Sequence, residues 1–328
     1  MTMMQATRNF TMRDVPETGL PVEYPAIESL PEFFGVIEGL NAACRNFNGS
    51  ICHCRGETIM AYRSEAYSAI NTVWMARLNG EFAPISTVQV RIPDEPGVHY
   101  EDPRIAMIGG MLHLMVAHVK FGIPNTCRQR LFILAEDFQP VQEIPLSYGN
   151  MDEGSVEKNW CPFEMPNGQL GIVYTQRPHF VIEYTTGNGY QTPGAKEWIF
   201  GNSMNGRTPP LRIEENYYLS FFGGHVKHDF RGTRYFMGAQ LFNARMPFDV
   251  RHATKRPLVW GSEFSPTTLS ARPNSGHPCC IFPAGIIRHG DDVILSCGVN
   301  DSYIVLLRYS LGDLINKMSQ VDERGMFY

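Results

Sequence analysis

Five pairs of short apolar runs recur along the chain and constrain its fold more than any other feature. β-branched and aromatic residues dominate the runs, and turn residues or charges separate the two members of each pair, as in antiparallel strands. Successive pairs are roughly 50 to 70 residues apart, near the period at which strand repeats indicate propeller blades. The pairs are 58–62 with 72–78, 111–118 with 130–135, 170–175 with 180–184, 217–222 with 235–242, and 293–297 with 303–309.

These repeats predict an all-β fold, a five-bladed β-propeller with a short C-terminal helix. A two-sheet sandwich with long loops would use the same strands without radial symmetry and is the alternative. The helix is expected after residue 310, because apolar residues up to 318 follow helical spacing and Ser310 with Asp313 resembles a capping box. We expect residues 1–45 to form an arm that packs on the propeller or closes its ring, 46–310 the propeller, and 311–328 the helix and tail.

Composition and charge narrow the classes of function. With 328 residues, 43% of them hydrophobic, the chain can bury a substantial core. Its net charge of −5 and its scattered basic residues do not favour nucleic acid as a partner. We expect no membrane partner and a cytoplasmic protein, since the first residues lack the apolar core of a signal peptide. Eight cysteines show no C-x-x-C spacing, no metal site is predicted, and assembly as a homo-oligomer stays open.

The segment Glu101-Asp102-Pro103-Arg104 places two carboxylates and a guanidinium directly before a strand-like run. Because a residue that precedes proline is biased toward extended backbone, we expect Asp102 to be extended and its neighbours to project in defined directions. The other interpretation is a solvated turn in which Arg104 pairs with a carboxylate. Polar residues near the strands of the other units are also candidates: Arg63, 157–160, Arg207, His225 and 298–301.

The chain resembles glycoside hydrolase family 130, the β-mannoside phosphorylases and hydrolases, and within it a subset with a K-N-W-x-P-F segment. The resemblance runs from about residue 50 to 310 and implies a five-bladed propeller. It also implies a mannose-containing oligosaccharide or glycoside as substrate. The segments that carry it are Tyr62-Arg63, Glu101-Asp102-Pro103-Arg104-Ile105, 157–163, Thr208-Pro209, 282–285 and 298–301.

The resemblance implies an inverting mechanism in which Asp102 is the general acid. It would pass its proton to the glycosidic oxygen by way of a sugar hydroxyl, while phosphate or water attacks the anomeric carbon from the opposite face. Glu101 is the second catalytic candidate, because like-charge repulsion from it would raise the pKa of Asp102. Arg104 would act in the opposite direction, and the sequence leaves open which effect is larger.

The nucleophile distinguishes a phosphorylase from a hydrolase. Inorganic phosphate as a co-substrate would need a basic pocket, for which Arg63 and Lys158 are the best positional matches, with Arg207, Arg128 and His225 as additions. A hydrolase would instead need a carboxylate that deprotonates water, and Glu157 or Asp301 could serve. A third alternative is glycosyl transfer from a sugar phosphate or nucleotide sugar on the same propeller, and a fourth is a sugar-binding propeller without turnover. No organic cofactor is expected.

Several of the candidates also have a purely structural interpretation. Asn159 and Trp160 are expected to bind substrate, but Trp160 and Phe163 could simply pack between blades. Asp301 could be only a turn former. His225 is a substrate-binding candidate because the preceding Gly223 and Gly224 would let the backbone come close to a ligand.

Overall fold

The computed structural model describes residues 31–41, 44–65, 70–93, 97–122, 125–146, 156–196, 204–228, 232–260 and 280–328. Most of the predicted N-terminal arm, residues 1–30, lies outside these ranges. Within them the chain is nearly all β-structure, arranged as five separate sheets. We number these sheets as blades 1 to 5 in the order in which their innermost strands occur along the chain.

The strands follow one another blade by blade. The first is β1 (Glu32–Val36). Blade 1 contains β2 (Arg45–Cys54), β3 (Glu57–Glu65), β4 (Asn71–Leu78) and β5 (Pro84–Gln89). Blade 2 contains β6 (Val98–Ile108), β7 (Met111–Lys120), β8 (Thr126–Leu134) and β9 (Pro140–Ile144). Blade 3 contains β10 (Cys161–Glu164), β11 (Leu170–Gln176), β12 (His179–Glu183) and β13 (Asn188–Thr192).

The last two blades include strands from distant parts of the chain. Blade 4 contains β14 (Asn205–Gly206), β15 (Leu211–Glu214), β16 (Tyr217–His228), β17 (Gly232–Asn243), β18 (Val250–Ala253) and β19 (Val259–Trp260). Blade 5 contains β20 (Ile281–His289), β21 (Asp292–Val299), β22 (Tyr303–Ser310) and, as its outer strand, β1. The helix α1 (Leu311–Asn316) and the strand β23 (Ser319–Gln320) follow, and β23 pairs with β18 of blade 4.

The innermost strands surround the propeller axis. β2 contacts both β20 and β6, and β6 contacts β10. The approach of blade 5 to blade 1 is so close that a Cβ at Gly285 would lie 2.1 Å from the backbone nitrogen of Ile51. Because β1 pairs with β22, a strand from the beginning of the chain completes the last blade. The division of the chain into arm, propeller and tail at residues 45 and 310 stays a prediction.

The prediction of a five-bladed β-propeller is confirmed, and the two-sheet sandwich is wrong. The five predicted pairs of runs are the two central strands of the five blades, each joined in antiparallel register. These strands are apolar on both faces because each sheet packs against a blade on either side. In β7, for example, residues 112–117 are all buried. Apolar side chains of neighbouring blades form shared clusters, such as Ile59 and Met75 of blade 1 with Ile105 and Leu114 of blade 2.

The predicted C-terminal helix is also confirmed. The Ser310 hydroxyl accepts a hydrogen bond from the Asp313 backbone nitrogen at 3.3 Å, as the capping-box pattern predicts. Leu311 and Leu314 are buried in the cluster between blades 4 and 5. The helix ends at Asn316, before Met318, but Met318 is buried in the same cluster. No helix in the described part of the chain has the length and apolarity that a membrane crossing requires.

Candidate active site

Asp102 lies in a bulge of β6, the innermost strand of blade 2. The register with β7 shifts between Glu101 and Arg104, and Asp102 has a φ of +49°. The expectation of extended backbone at this residue is therefore wrong. The left-handed conformation is held by its surroundings, since buried Arg104 donates from Nη1 to the carbonyl oxygens of Asp102 at 3.1 Å and Pro103 at 2.9 Å. Arg104 thus orients Asp102 through the backbone.

The Asp102 carboxylate faces blade 1. Its Oδ1 accepts a hydrogen bond from Asn48 Nδ2 at 2.8 Å, and Nη1 of Arg63 lies 3.7 Å from the same oxygen. The side chain of Asp102 is 14% exposed, so solvent still reaches it. One oxygen is therefore held by blade 1 while a small part of the side chain remains exposed.

Glu101 joins three blades through two ion pairs. Its Oε1 accepts from Arg63 Nη2 at 3.1 Å, and its Oε2 accepts from Lys158 Nζ at 3.0 Å. Arg63 comes from β3 of blade 1, with its guanidinium 4.7 Å from the ring centroid of Phe47, and Lys158 precedes β10 of blade 3. The structure thus brings together the predicted residues Arg63, Glu101, Asp102 and Lys158 in one cluster, which we call the mouth cluster.

The electrostatics of the mouth cluster favour the ionised form of Asp102. Burial by itself would raise the pKa of this carboxyl, but Arg63, Arg104 and Lys158 together with the Asn48 hydrogen bond lower it below its usual value. The sequence left this balance open between Glu101 and Arg104, and the surrounding cations decide it. At neutral pH, without a bound ligand, Asp102 is therefore a carboxylate.

A second group of predicted residues lies beside the mouth cluster. Arg207, which follows β14, is buried and donates from Nη1 to Oδ1 of Asn159 at 2.8 Å. Asn159 has a φ of +67°. A Cβ at Gly223 would lie 2.5 Å from Nε of Arg207, so this glycine makes room for the arginine side chain. The space beside Gly223 is therefore filled by the Arg207 side chain, whereas the sequence suggested that a ligand would come close to this backbone.

Trp160 and Glu157 make structural contacts with neighbouring side chains. Trp160 is 1% exposed and packs with Leu131 and Ile172 between blades 2 and 3, as the packing interpretation expects. The assignment of Trp160 as a substrate-binding residue stays a prediction. The Glu157 carboxylate accepts from Trp160 Nε1 at 3.1 Å and from the Tyr174 hydroxyl at 2.9 Å, so both its oxygens are engaged in holding aromatic side chains.

His225 and Asp301 belong to blades 4 and 5. The rings of His225 and Tyr235 lie 5.7 Å apart. Burial and Cys280 raise the pKa of the Tyr235 hydroxyl to about 12, Arg207 opposes the shift, and Asp301 and Asp102 add to it. Asp301 and Asp102 are thus both within electrostatic range of Tyr235. Asn300 and Asp301 have φ values of 53° and 47° in a turn closed by Ser302 N donating to the Val299 carbonyl, as the turn-former interpretation expects.

Asn48 is the residue of this site that the sequence did not reveal. It belongs to β2, is 3% exposed, and has a φ of +52°. A Cβ at Gly298 would lie 1.9 Å from Oδ1 of Asn48, so the glycine of the 298–301 segment makes room for the side chain that binds Asp102. In the sequence, Asn48-Gly49 suggests only a turn. The left-handed backbone that brings Asn48 to Asp102 depends on the packing of blade 5 against blade 1.

Fold and site together define a class of protein: a five-bladed β-propeller with an acid–base cluster that joins β3 of blade 1, β6 of blade 2 and the segment that enters blade 3. Two of its four members are carboxylates and two are cations. Within the described residues, no group of three or more His, Cys, Asp or Glu side chains could hold a metal ion.

The fold is similar to solved structures of carbohydrate-active proteins, although no family model matches the sequence and no curated protein is similar to it in sequence. A β-1,2-mannobiose phosphorylase from Listeria innocua, in complex with β-1,2-mannobiose, is 15% identical with a TM-score of 0.61, covering 87% of this chain and 96% of that one. A mannose phosphorylase from Leishmania mexicana, in complex with a phosphate ion, is 13% identical with a TM-score of 0.57, covering 92% and 93%.

A third structure is described as belonging to the GH130 family of mannoside phosphorylases, which contains glycoside hydrolases that target β-1,2 mannosidic linkages in Candida mannan. It is 15% identical, with a TM-score of 0.60, and the match covers 90% of this chain and 96% of that one. At these identities the three similarities establish a shared fold.

Proposed function

We propose that this protein is a carbohydrate-active enzyme that cleaves β-mannosidic linkages with inversion, with Asp102 as the general acid. The observation that carries the proposal is the mouth cluster. A partly accessible carboxylate, Asp102, lies beside two cations, Arg63 and Lys158, that are already aligned by Glu101. The structural neighbours include phosphorylases and hydrolases of mannosides, which supports the same class of substrate.

Phosphate is the nucleophile that the charges favour. Four basic side chains, Arg63, Lys158, Arg104 and Arg207, lie within electrostatic range of Asp102, which suits a dianion. A phosphate oxygen would form a bond to the anomeric carbon as the bond from that carbon to the glycosidic oxygen breaks. The glycosidic oxygen would take the proton from Asp102 by way of a sugar hydroxyl, and the products would be mannose 1-phosphate and the shortened sugar.

Phosphate binding would also explain how Asp102, which is ionised in the free protein, becomes protonated and able to act as the acid. In the free protein the cations hold the pKa of Asp102 below its usual value, so the group is ionised at neutral pH. A dianion next to Arg63 and Lys158 would offset these cations and thereby raise the pKa of Asp102. In this mechanism the second substrate prepares the acid, and a proton is taken up when phosphate binds.

Hydrolysis is the second candidate, and one contact favours it. Glu101 already neutralises both Arg63 and Lys158, so phosphate would have to share these cations with a carboxylate. Asp301 would then be the group that deprotonates water, because both oxygens of Glu157 are engaged by Trp160 and Tyr174. Asn159, Arg207 and His225 are proposed to contribute to binding the sugar or the phosphate in either mechanism.

The experiment that tests the proposal is incubation with a panel of β-manno-disaccharides, with and without inorganic phosphate. Formation of mannose 1-phosphate only in the presence of phosphate would establish phosphorolysis, and free mannose in both conditions would establish hydrolysis. If no member of the panel is cleaved under either condition, the proposal is wrong, and binding of the same sugars without turnover would identify a sugar-binding propeller.

A further inference from the structure

Two arginines are buried next to the mouth cluster without a carboxylate partner among the described residues. Arg104 is 1% exposed and Arg207 is 4% exposed, and neither forms an ion pair within 4.0 Å in that part of the chain. Burial lowers the pKa of both guanidiniums, and in Arg207 the charge of Arg104 adds to this effect. Such a pair needs another source of stabilisation to stay in place.

Phe282 supplies a surface that both guanidiniums share. The central carbon of the Arg104 guanidinium lies 4.8 Å from the centroid of this ring, and that of Arg207 lies 4.2 Å from it. An aromatic face attracts a cation most strongly when both are shielded from water, as they are here. Phe282 is 5% exposed and belongs to β20, the innermost strand of blade 5, so it links blade 5 to the arginines of blades 2 and 4.

Each of these arginines in turn holds a site residue whose backbone is left-handed. Arg104 donates to the carbonyl oxygen of Asp102, which has a φ of +49°, and Arg207 donates to the side chain of Asn159, which has a φ of +67°. Such conformations persist in residues other than glycine only when the surroundings impose them. The two hydrogen bonds are part of those surroundings, and the arginines that donate them both pack on the ring of Phe282.

We propose that Phe282 is a positioning residue for the active site, acting through Arg104 on Asp102 and through Arg207 on Asn159. It does not touch the substrate in this role. Its ring fixes the two guanidiniums, and these fix the backbone of the acid and the amide side chain beside Lys158. The effect on turnover rests on the proposed function, whereas the effect on the backbone of the two residues does not.

The test compares Phe282→Leu with Phe82→Leu, a matched control that removes a ring of similar burial from the cluster between blades 1 and 5. Amide hydrogen exchange is measured for peptides that cover residues 100–105 and 157–161. We expect Phe282→Leu to accelerate exchange in both peptides by about tenfold, the equivalent of about 1.4 kcal/mol, and Phe82→Leu to leave them unchanged. In Phe282→Leu, kcat should fall about tenfold while KM for the sugar stays within about twofold. Phe282→Tyr, which keeps the ring, should restore both.

Gly223→Ala tests one half of the arrangement without touching Phe282. Its Cβ would lie 2.5 Å from Nε of Arg207 and so displace that side chain from the ring. Exchange should then rise in the 157–161 peptide and stay unchanged in the 100–105 peptide. This variant also serves if Phe282→Leu does not fold.

Three outcomes would overturn the inference. Phe282→Leu and Phe82→Leu could change exchange at the two peptides equally, or Gly223→Ala could leave the 157–161 peptide unchanged. Exchange could also rise in Phe282→Leu while a wild-type activity persists at full kcat. If the wild type cleaves no mannoside but the exchange pattern holds, the proposed function is wrong and the positioning role of Phe282 stands.

Discussion

Asp102 and His179 are both largely buried titratable groups, and the fold treats them in opposite ways. At the mouth cluster, three cations and the Asn48 hydrogen bond outweigh the effect of burial, and the lowered pKa of Asp102 keeps the group charged. Between blades 3 and 4, His179 lies 3.4 Å from the neutral amide of Gln240, which itself binds Gln176. Burial lowers the pKa of His179 to about 3, which keeps the ring uncharged.

The difference teaches that burial alone does not decide charge in this protein: at Asp102 the neighbouring cations outweigh it, whereas at His179 it acts unopposed. The same direction of pKa shift produces an ion in one region and a neutral group in the other, since a carboxyl gains charge where an imidazole loses it. The propeller therefore holds a charged carboxylate in the mouth cluster and an uncharged imidazole between blades 3 and 4.

The largest effect on activity is expected when the carboxyl of Asp102 is replaced by an amide. In Asp102→Asn the amide cannot deliver a proton, so kcat should fall by about 10²- to 10⁴-fold while the sugar still binds. The measurement is turnover of the mannoside that the wild type cleaves, with binding followed by calorimetry. Asp137→Asn, in an exposed turn, is the matched control and should keep full activity. Turnover at the wild-type rate in Asp102→Asn would remove the acid role from this residue.

The uncharged state of His179 should make the protein less stable at acid pH. Because the folded pKa of His179 lies at about 3 and the unfolded value near 6.5, the unfolded chain binds the extra proton between these values. The contribution of uncharged His179 to the free energy of unfolding is fully present above pH 6.5. It is lost as the pH falls toward 3, at up to about 1.4 kcal/mol per pH unit. Urea unfolding at pH 7, 6, 5 and 4 should show a steeper loss of stability for the wild type than for His179→Gln. Parallel curves for the two proteins would contradict the assignment.

A smaller effect is expected when one cation of the mouth cluster is removed. Arg63→Gln takes away a charge that lowers the pKa of Asp102, so that pKa should rise. Since a general acid must be protonated, activity falls as the pH rises through its pKa, and a higher pKa moves this alkaline limb upward. The limb of kcat/KM against pH is the measurement, and Arg130→Gln, on the outer part of blade 2, should leave it in place.

The smallest effect is expected for an ion pair outside the site. Arg130 binds Glu143 through two hydrogen bonds of 2.7 Å, but their side chains are 22% and 46% exposed. A double-mutant cycle with Arg130→Gln and Glu143→Gln should give a coupling free energy of up to about 1 kcal/mol in urea unfolding. A coupling well above this value would mean that outer ion pairs stabilise the blades as strongly as the inner cluster does.

Much of the fold could be predicted from the sequence because the central strands of each blade are buried and are therefore rich in apolar residues. Residues 112–117 and 293–299 are buried without interruption and, apart from His113 and Ser296, carry no polar side chain, since both faces of these strands are covered. The capping of α1 was equally local. The innermost strands were harder to recognise, because β6 carries Glu101, Asp102 and Arg104 and a bulge, and β14 has only two residues.

The candidate site was predicted in part. Arg63, Glu101, Asp102 and Lys158 were all named from the sequence, and they do meet. For Trp160 the sequence left two interpretations open, because an aromatic residue beside a charged segment has the same appearance in a binding site as in a core. Asn48 was missed because its contact with Asp102 joins residues 54 positions apart on two blades, and no local pattern marks it.

The sequence by itself determined that this chain forms a repeated antiparallel β-structure with a capped helix near its end, since strand propensity, apolar periodicity and capping act between near neighbours. Only the tertiary structure decided which charges meet. The ionised state of Asp102, the neutral state of His179 and the burial of Arg104 and Arg207 over one phenylalanine ring depend on side chains from different blades. Electrostatic and packing energies of this kind are set by distances across the propeller, which the order of residues along the chain does not contain.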